Sequence, residues 1–328
     1  MTRKPNIGFR VLGGKAALRR PVDAAAALAA YAACDPKAEV EREAYLSAFT
    51  YGADFRRHLE ETGSTADYAG PCWAPFVWWD IDHQDDPGRA LSDARRLAVG
   101  ILHRYPAALG DDDLLILFSG AKGYHLGLPT FWGPAPAVLF NLTARRFAEG
   151  IAAAAGVGID SSVYLKVQLF RAPNSRHPKT GLHKRRLSLD ELLHLDTDRI
   201  RELAARPEPF ELPTVGAADD QATADWQAAL QAVGREAQVK AQRRAAVADG
   251  TPRLNRATLD FIRDGAAENH RHRLLFSAAA NLAEFGCPPV LAHALLTDAA
   301  LDSGLPPSEV RRQIDCGLNH TGKGAANA

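Results

Sequence analysis

SGAKGYHLGLP, residues 119–129, follows directly on the apolar run LLILF. Two glycines flank a lysine, and a histidine then opens an alternating apolar segment. With LLILFS before it, the stretch reads as a buried strand, a glycine turn and a second buried strand. Gly120 and Gly123 permit positive φ and close approach to the backbone. Their amides can form a concave nest for an anion. Lys122 adds a point charge and Ser119 a hydroxyl, both suited to phosphate oxygens. His125 stands at the first turn of the strand, placed to donate to the same phosphate. The P-loop pattern is absent, since that needs G-x-x-x-x-G-K-[ST] ahead of a helix. A plain hairpin turn with an incidental histidine fits the same residues.

Upstream, APFVWWDID is a dense β-branched and aromatic run ending in acids, which predicts a buried strand. Period-two geometry sends Asp80 and Asp82 to one face and turns Ile81 into the core. Two carboxylates that close raise each other's pKa unless a cation sits between them. Two carboxylates with substrate phosphates are what Mg²⁺ and Mn²⁺ sites commonly offer, although solvated acids at a strand end have the same appearance. Between residues 87 and 105, Leu91, Ala94, Leu97, Ala98, Ile101 and Leu102 keep helical spacing. Asp85 and Asp86 suit the start of that helix, where its dipole favours them, and GDDD at 110–113 reads as a solvated turn.

Downstream, APAVLFNLTARRFAEGIAAAAG predicts a helix, and a short strand follows near VQLF. Lys166, Arg171, Arg176, Lys179, Lys184, Arg185 and Arg186 then come without an acid between Ser161 and Leu189. Pro173 and Pro178 hold this segment extended, while Asn174, Ser175 and His177 supply hydrogen-bonding groups. Such a loop suits a polyanion, either a triphosphate or a nucleic-acid backbone; a solvated basic loop is the plainer alternative. SLDEL beyond it reads as a capping box with Ser188 at N-cap and Glu191 at N3.

Residues from about 22 to 65 read as helices, with Asp23 as an N-cap. Strands alternating with helices indicate an α/β or α+β domain over roughly the first 210 residues. Few large apolar residues occur from 214 to about 250, so that stretch is expected as a partly helical connector. Only helical patterns appear from Leu254 onward. The expected division is 1–212, 213–252 and 253–328.

The 328 residues carry 39 Lys+Arg against 39 Asp+Glu, so any attraction for nucleic acid has to be local. Cys34, Cys72, Cys287 and Cys316 lie far apart with no C-x-x-C pair, which argues against a zinc ribbon and a disulfide scaffold. The first residues lack the apolar core of a signal peptide, and VDAAAALAAYAACD is too short to span a bilayer. A cytoplasmic protein with no membrane association is expected.

Taken in order, three of these pieces resemble the motifs of the archaeo-eukaryotic primase superfamily, the primase–polymerases. Asp80-Ile81-Asp82 matches its acid–x–acid strand end, and SGAKGYH matches its S-G-x-[KR]-G-x-H in full. Asp160 followed by LFRAPNSRHPKTG matches its third, an acid ahead of a segment like hL[RK]xPxSxHPKTG. More weakly, ENHRHRLLFSAAANLAEFG and PPSEVRRQI resemble the small helical domain that follows the catalytic core in phage and plasmid primases.

The resemblance implies an α+β catalytic core, an RRM-like antiparallel sheet joined to an α/β portion, followed by a small all-α domain. It implies that Asp80, Asp82 and Asp160 hold two divalent ions, Mg²⁺ or Mn²⁺, with no zinc site. Ser119, Lys122 and His125 would grip a nucleotide triphosphate, with Arg171, Ser175, His177 and Lys179 approaching it from the other side. Lys179 and Thr180 equally suit the loop's own conformation. The partners implied are a single-stranded DNA template and primer, NTP or dNTP substrates, and a separate helicase, because the chain has no P-loop. The implied activity is primer synthesis and extension. A gap-filling or translesion polymerase of the same superfamily is the nearest alternative. An inactive DNA-binding replication-initiation protein is the alternative of another class. A metal-dependent nuclease would have no need of the triphosphate-gripping lysine and histidines.

Overall fold

The structure is a computed structural model that describes residues 5–83, 86–214, 216–248, 254–267 and 270–320. The chain divides into two compact units, Met1–Glu236 and Ala237–Ala328. In chain order the first unit contains β1 (Ile7–Leu12), β2 (Arg20–Asp23), α1 (Ala24–Ala32), β3 (Ala44–Ser47), β4 (Thr50–Tyr51), α2 (Ala53–Thr62), β5 (Cys72–Trp73) and β6 (Phe76–Ile81). It continues with α3 (Pro87–Arg104), β7 (Leu115–Phe118), β8 (Tyr124–Pro129), α4 (Phe140–Ala154), β9 (Leu169–Arg171), β10 (Arg185–Leu187), α5 (Leu189–His194), α6 (Thr197–Leu203) and the start of α7 (Asp220–Ala248).

Two antiparallel sheets result, so the fold is mixed α+β. One sheet runs β5-β4-β1-β3-β9 with β2 also paired to β1, off that path, and the second runs β10-β7-β8-β6. Three strands of the second sheet, β6, β7 and β8, are the ones the sequence announced; the fourth, β10, lies in the stretch expected to be a basic loop and pairs with β7. All six residues of β8 are buried and five of six on β6 are, which is why β6 reads as a dense apolar run with an acid at its end. α3 lies on β8 and α4 on β6. The α3 stripe of Leu91, Ala94, Leu97, Ala98 and Ile101 is buried as its spacing predicts. Trp79 sinks fully beneath α4 and satisfies its indole N–H on the Ala148 carbonyl at 3.0 Å. Asp86 caps α3 by accepting from the Arg89 N–H, with Pro87 in the first turn; Asp85 lies outside the described residues.

The first 65 residues differ from expectation. Asp23 does cap α1, accepting from the Ala26 N–H, but β1 and β2 precede it, and β3 and β4 interrupt the expected helices. β3 is held by β1 on one side and β9 on the other, more than a hundred residues along the chain. Such pairing is set by partners distant in sequence rather than by local propensity.

The expected connector also takes a more definite form. Thr214 to Asp219 is irregular where described, and from Asp220 a single helix, α7, follows. Its first turns belong to the core: Ala222, Trp226 and Ala229 are buried, and Trp226 packs its ring against Trp132, Phe140 and Phe147. Asp225 accepts from both Arg104 Nε and Nη2, at 2.7 and 2.6 Å, and from the Tyr105 hydroxyl at 2.8 Å. Residues 249–253 lie outside the described residues.

The second unit has its own core of Phe261, Leu275, Ala279, Leu282, Leu296 and Ile314. It is formed by α8 (Arg256–Asp264), α9 (Arg271–Glu284), α10 (Pro289–Asp302) and α11 (Pro307–His320). Leu275, Ala279 and Leu282 face inward, and Phe285 is half-buried at the end of α9. Arg271 donates to the Ser303 and Gly304 carbonyls, and His272 lies 3.5 Å from Glu309, so both are engaged within this unit. Among the described residues no helix is long and apolar enough to cross a membrane.

Candidate active site

The end of β6 delivers the acids. Asp80 pairs in register with His125 of β8, Ile81 points into the core, and Asp82 leaves the strand half-exposed. His125 Nε2 lies 3.2 Å from Asp80 Oδ1, and Lys122 Nζ lies 3.5 Å from Asp82 Oδ1. Each acid of the pair is therefore matched by a basic group from the glycine stretch.

That stretch turns because its two glycines do different things. Gly120 has φ +83°, where L side chains are strained, and Gly123 sits so close to β6 that a Cβ would lie 2.5 Å from the Ile81 carbonyl oxygen. Ser119 Oγ accepts from the Gly123 N–H at 3.1 Å and holds the turn closed. Thr180 Oγ1 donates to the Gly120 carbonyl at 2.5 Å, joining this turn to the basic loop.

Asp160 arrives by a backbone link, its N–H donating to the Asp80 carbonyl at 2.9 Å. Its carboxylate accepts from Ser162 N and Oγ at 2.8 and 2.9 Å, capping a short 3₁₀ turn at Ser161–Tyr164. Arg171, on β9, lays its guanidinium 5.1 Å from the Tyr45 ring centroid and donates to the Tyr45 hydroxyl at 3.3 Å. His177 Nδ1 accepts from the Lys179 and Thr180 N–H groups, which places the proton of a neutral ring on Nε2.

A cavity of about 260 Å³ is lined by Asp80, Asp82, Ser119, Lys122, His125, Asp160, Arg171 and His177 together. Eight of the ten expected site residues thus line one cavity. Ser175 and Lys179 do not. Ser175 is wholly buried, its hydroxyl donating to the Ala172 and Ala44 carbonyls, and Lys179 is exposed at the loop's edge. Sequence reading missed Lys15, Tyr45 and Gln168, which line the same cavity. The signal for Lys15 was present in LGGK, where a glycine pair precedes a lysine between β1 and β2. Tyr45 lay in a segment expected to be helical.

The basic stretch is less of an open polyanion surface than its charge implied. Lys184 is buried and Arg185 is tied to Glu208. Lys166 donates to the Gly70 and Val138 carbonyls, both at 2.8 Å. Asn174, at φ +56°, is also wholly buried. Its amide donates to the carbonyls of Tyr31, Ala32 and Glu208, and its carbonyl oxygen accepts from the Glu208 N–H.

Burial pushes the His125 imidazole below its ordinary pKa, and the charge of Lys184 acts the same way against the pull of Asp80. The buried Nδ1 has no hydrogen-bond partner among the described residues, which suits a neutral ring donating from Nε2 to the carboxylate. Burial works to raise the Asp80 pKa, but His125, Lys184 and Lys15 outweigh it, and the carboxyl titrates below the usual range. His177 is likewise held below its ordinary value by burial and by the Arg171 charge.

Among the described residues no three His, Cys, Asp or Glu side chains are already gathered as a metal-binding set. The donor chemistry nevertheless fits a hard divalent cation. Three carboxylates line one cavity, Asp80 titrates below the usual carboxylate range, and the Lys122 cation stands against Asp82 while the neutral His125 ring meets Asp80.

No family model matches the chain, and no curated protein is significantly similar to it. Among solved structures it is similar to one described as the crystal structure of primase RepB′, with 13% identity and a TM-score of 0.36, covering 96% of this chain and 90% of that one. Backbones related by so low a score diverge over much of their course.

Proposed function

We propose that this chain is a DNA-dependent nucleotidyltransferase that makes primers on single-stranded DNA and extends them, using two Mg²⁺ or Mn²⁺ ions. The observation that carries this reading is the convergence of three separated segments, ending in Asp80/Asp82, in Ser119/Lys122/His125 and in Asp160/Arg171/His177, on one cavity. Acids and phosphate-binding groups on a shared wall are what phosphoryl transfer needs, since its catalysis is mostly positioning and charge neutralisation.

Asp80, Asp82 and Asp160 would hold the ions. Bound there, divalent ions neutralise phosphate charge and acidify an attacking 3′-hydroxyl. Lys122 and Arg171 neutralise the triphosphate from two sides. Ser119 and the amides of the glycine turn donate to its oxygens, and His177 offers Nε2–H to the leaving pyrophosphate. His125 fixes the Asp80 carboxylate in its ionised form. The two antiparallel sheets are taken as the two portions of the catalytic core, the helical unit assists initiation, and unwinding falls to a separate helicase.

The test is nucleotide incorporation on single-stranded DNA with Mg²⁺ or Mn²⁺, with and without an annealed primer, beside an Asp80→Ala/Asp82→Ala variant. Metal-dependent products in both lanes, absent from the variant, are expected. Extension only from the annealed primer would move the reading to gap filling or lesion bypass. No product in either lane would replace catalysis with a binding role.

A further inference from the structure

A second cavity, of about 210 Å³, shares the β9 residues Phe170 and Arg171 with the first, and none of the three acids lines it. Its walls are Phe9 of β1, Leu46 of β3, Trp73 of β5, Trp78 of β6 and Phe170, with Lys184 among them. An engineered apolar cavity of about 150 Å³ stays dry and takes up benzene. This one has room for a ring with a second ring fused to it.

The polar groups of the wall decide what else the occupant needs. Ser47 Oγ is taken by the Phe9 N–H, and Thr50 Oγ1 donates to the Trp73 carbonyl. Lys184 differs. It is 1% exposed, its Nζ lies 3.9 Å from the Phe170 ring centroid and 5.6 Å from that of Trp78, and it donates to the Arg171 carbonyl at 2.8 Å. Among the described residues that carbonyl is its one hydrogen-bond acceptor, so N–H donors remain for something else. Aromatic walls with a single under-used buried donor define a ligand chemistry.

We infer that this cavity is a binding site for a flat, uncharged aromatic molecule carrying a carbonyl-type acceptor that meets Lys184. The site is separate from the acid-lined cavity and goes beyond the proposed activity. Ala25, exposed on the first turn of α1, lies at its wall and offers a position from which to close it.

The experiment is calorimetric titration of the full chain with 1-indanone and with indane, the same bicycle without the carbonyl. Saturable binding of 1-indanone is expected, about tenfold tighter than indane, the worth of one buried hydrogen bond. Lys184→Met should bring the two ligands to equal affinity. Ala25→Trp, an exposed change that leaves the core alone, should weaken both. Binding should persist in saturating dNTP without metal. Absence of saturable binding, an unchanged ketone preference in Lys184→Met, or displacement by dNTP would each overturn the assignment. Because binding is read directly, an inactive enzyme in the incorporation assay leaves this result unaffected.

Discussion

The amide of Asp160 donates to the carbonyl of Asp80 at 2.9 Å, so two of the three acids are joined through main chain before any side chain is considered. Their relative position survives changes to the carboxylates themselves, which makes those groups open to substitution without loss of the frame.

Asp82→Asn is the cleanest such change. Asp82 is half-exposed and its contact is a 3.5 Å pairing with Lys122. Stability should stay within about 0.5 kcal/mol of the parent, as for most surface changes. Incorporation should fall about 10²–10³-fold, the usual cost of one preorganised charge at a reacting centre. Steady-state incorporation beside a urea melt checks both.

Gly123→Ala should damage the fold as well as the site. The new methyl would lie 2.5 Å from the Ile81 carbonyl, which is backbone and cannot swing aside. A loss of about 1–3 kcal/mol is expected. Gly14→Ala, where nothing lies within 4 Å of the added atom, should be near neutral. Thermal melts of the pair make the comparison.

Thr180→Val removes the tie between the basic loop and the Gly120 carbonyl while keeping the shape. Stability should drop by about 1 kcal/mol. On the proposed function, in which the loop places groups around the triphosphate, the KM for nucleotide should rise several-fold with a smaller change in kcat. Equal losses in kcat and kcat/KM would assign Thr180 to the transition state instead.

Lys184 gives a signed pH dependence. Burial, the first cause, and Arg171 together outweigh the pull of Asp80 and hold its pKa well below the ordinary 10.5. Between the lowered folded value and 10.5 the unfolded chain binds a proton that the folded chain does not, so stability rises with pH across that window and is lost as pH falls. Lys184→Met should flatten this slope. Urea midpoints of the two proteins, measured from neutral pH to pH 10, should converge as pH rises.

Asp225→Asn tests the anchoring of α7. Asp225 takes two bonds from Arg104 and one from Tyr105. Arg104 is partly exposed, so solvent tempers the ion pair, and a cost of about 1–2 kcal/mol is expected. Denaturation of the full chain provides the measurement.

Three strands of the second sheet and its two helices were legible because β6 and β8 are buried on both faces, and α3 carries an uninterrupted stripe; β10 was hidden in the basic loop. Of the first sheet only β9 was legible, as the short strand near VQLF. β4 and β5 have two residues each, and β3 exists through β1 and β9, partners no local pattern displays. The same cause hid Tyr45, a cavity residue on β3. α7 passed for a connector because Trp226 is its single aromatic residue, and the rings it packs against come from the segment between residues 132 and 147. For the site, residue types and spacing pointed to Asp80, Asp82, Lys122 and both histidines, and the family resemblance added Asp160. They could not separate Ser175, which braces the loop from inside, from Arg171, which faces the cavity.

Asn174 gives that distinction a wider meaning. Four hydrogen bonds from one buried amide hang the loop from α1 and from the segment at Glu208, so a stretch without regular structure is fixed as firmly as a strand. The carbonyls of Tyr31 and Ala32 belong to the last turn of α1, so a shift of that turn would be felt at His177. The placing of the loop is therefore hostage to a helix that does not line the acid-walled cavity, and a scan scored by activity alone would credit Asn174 with chemistry when its bonds only hold the loop in place.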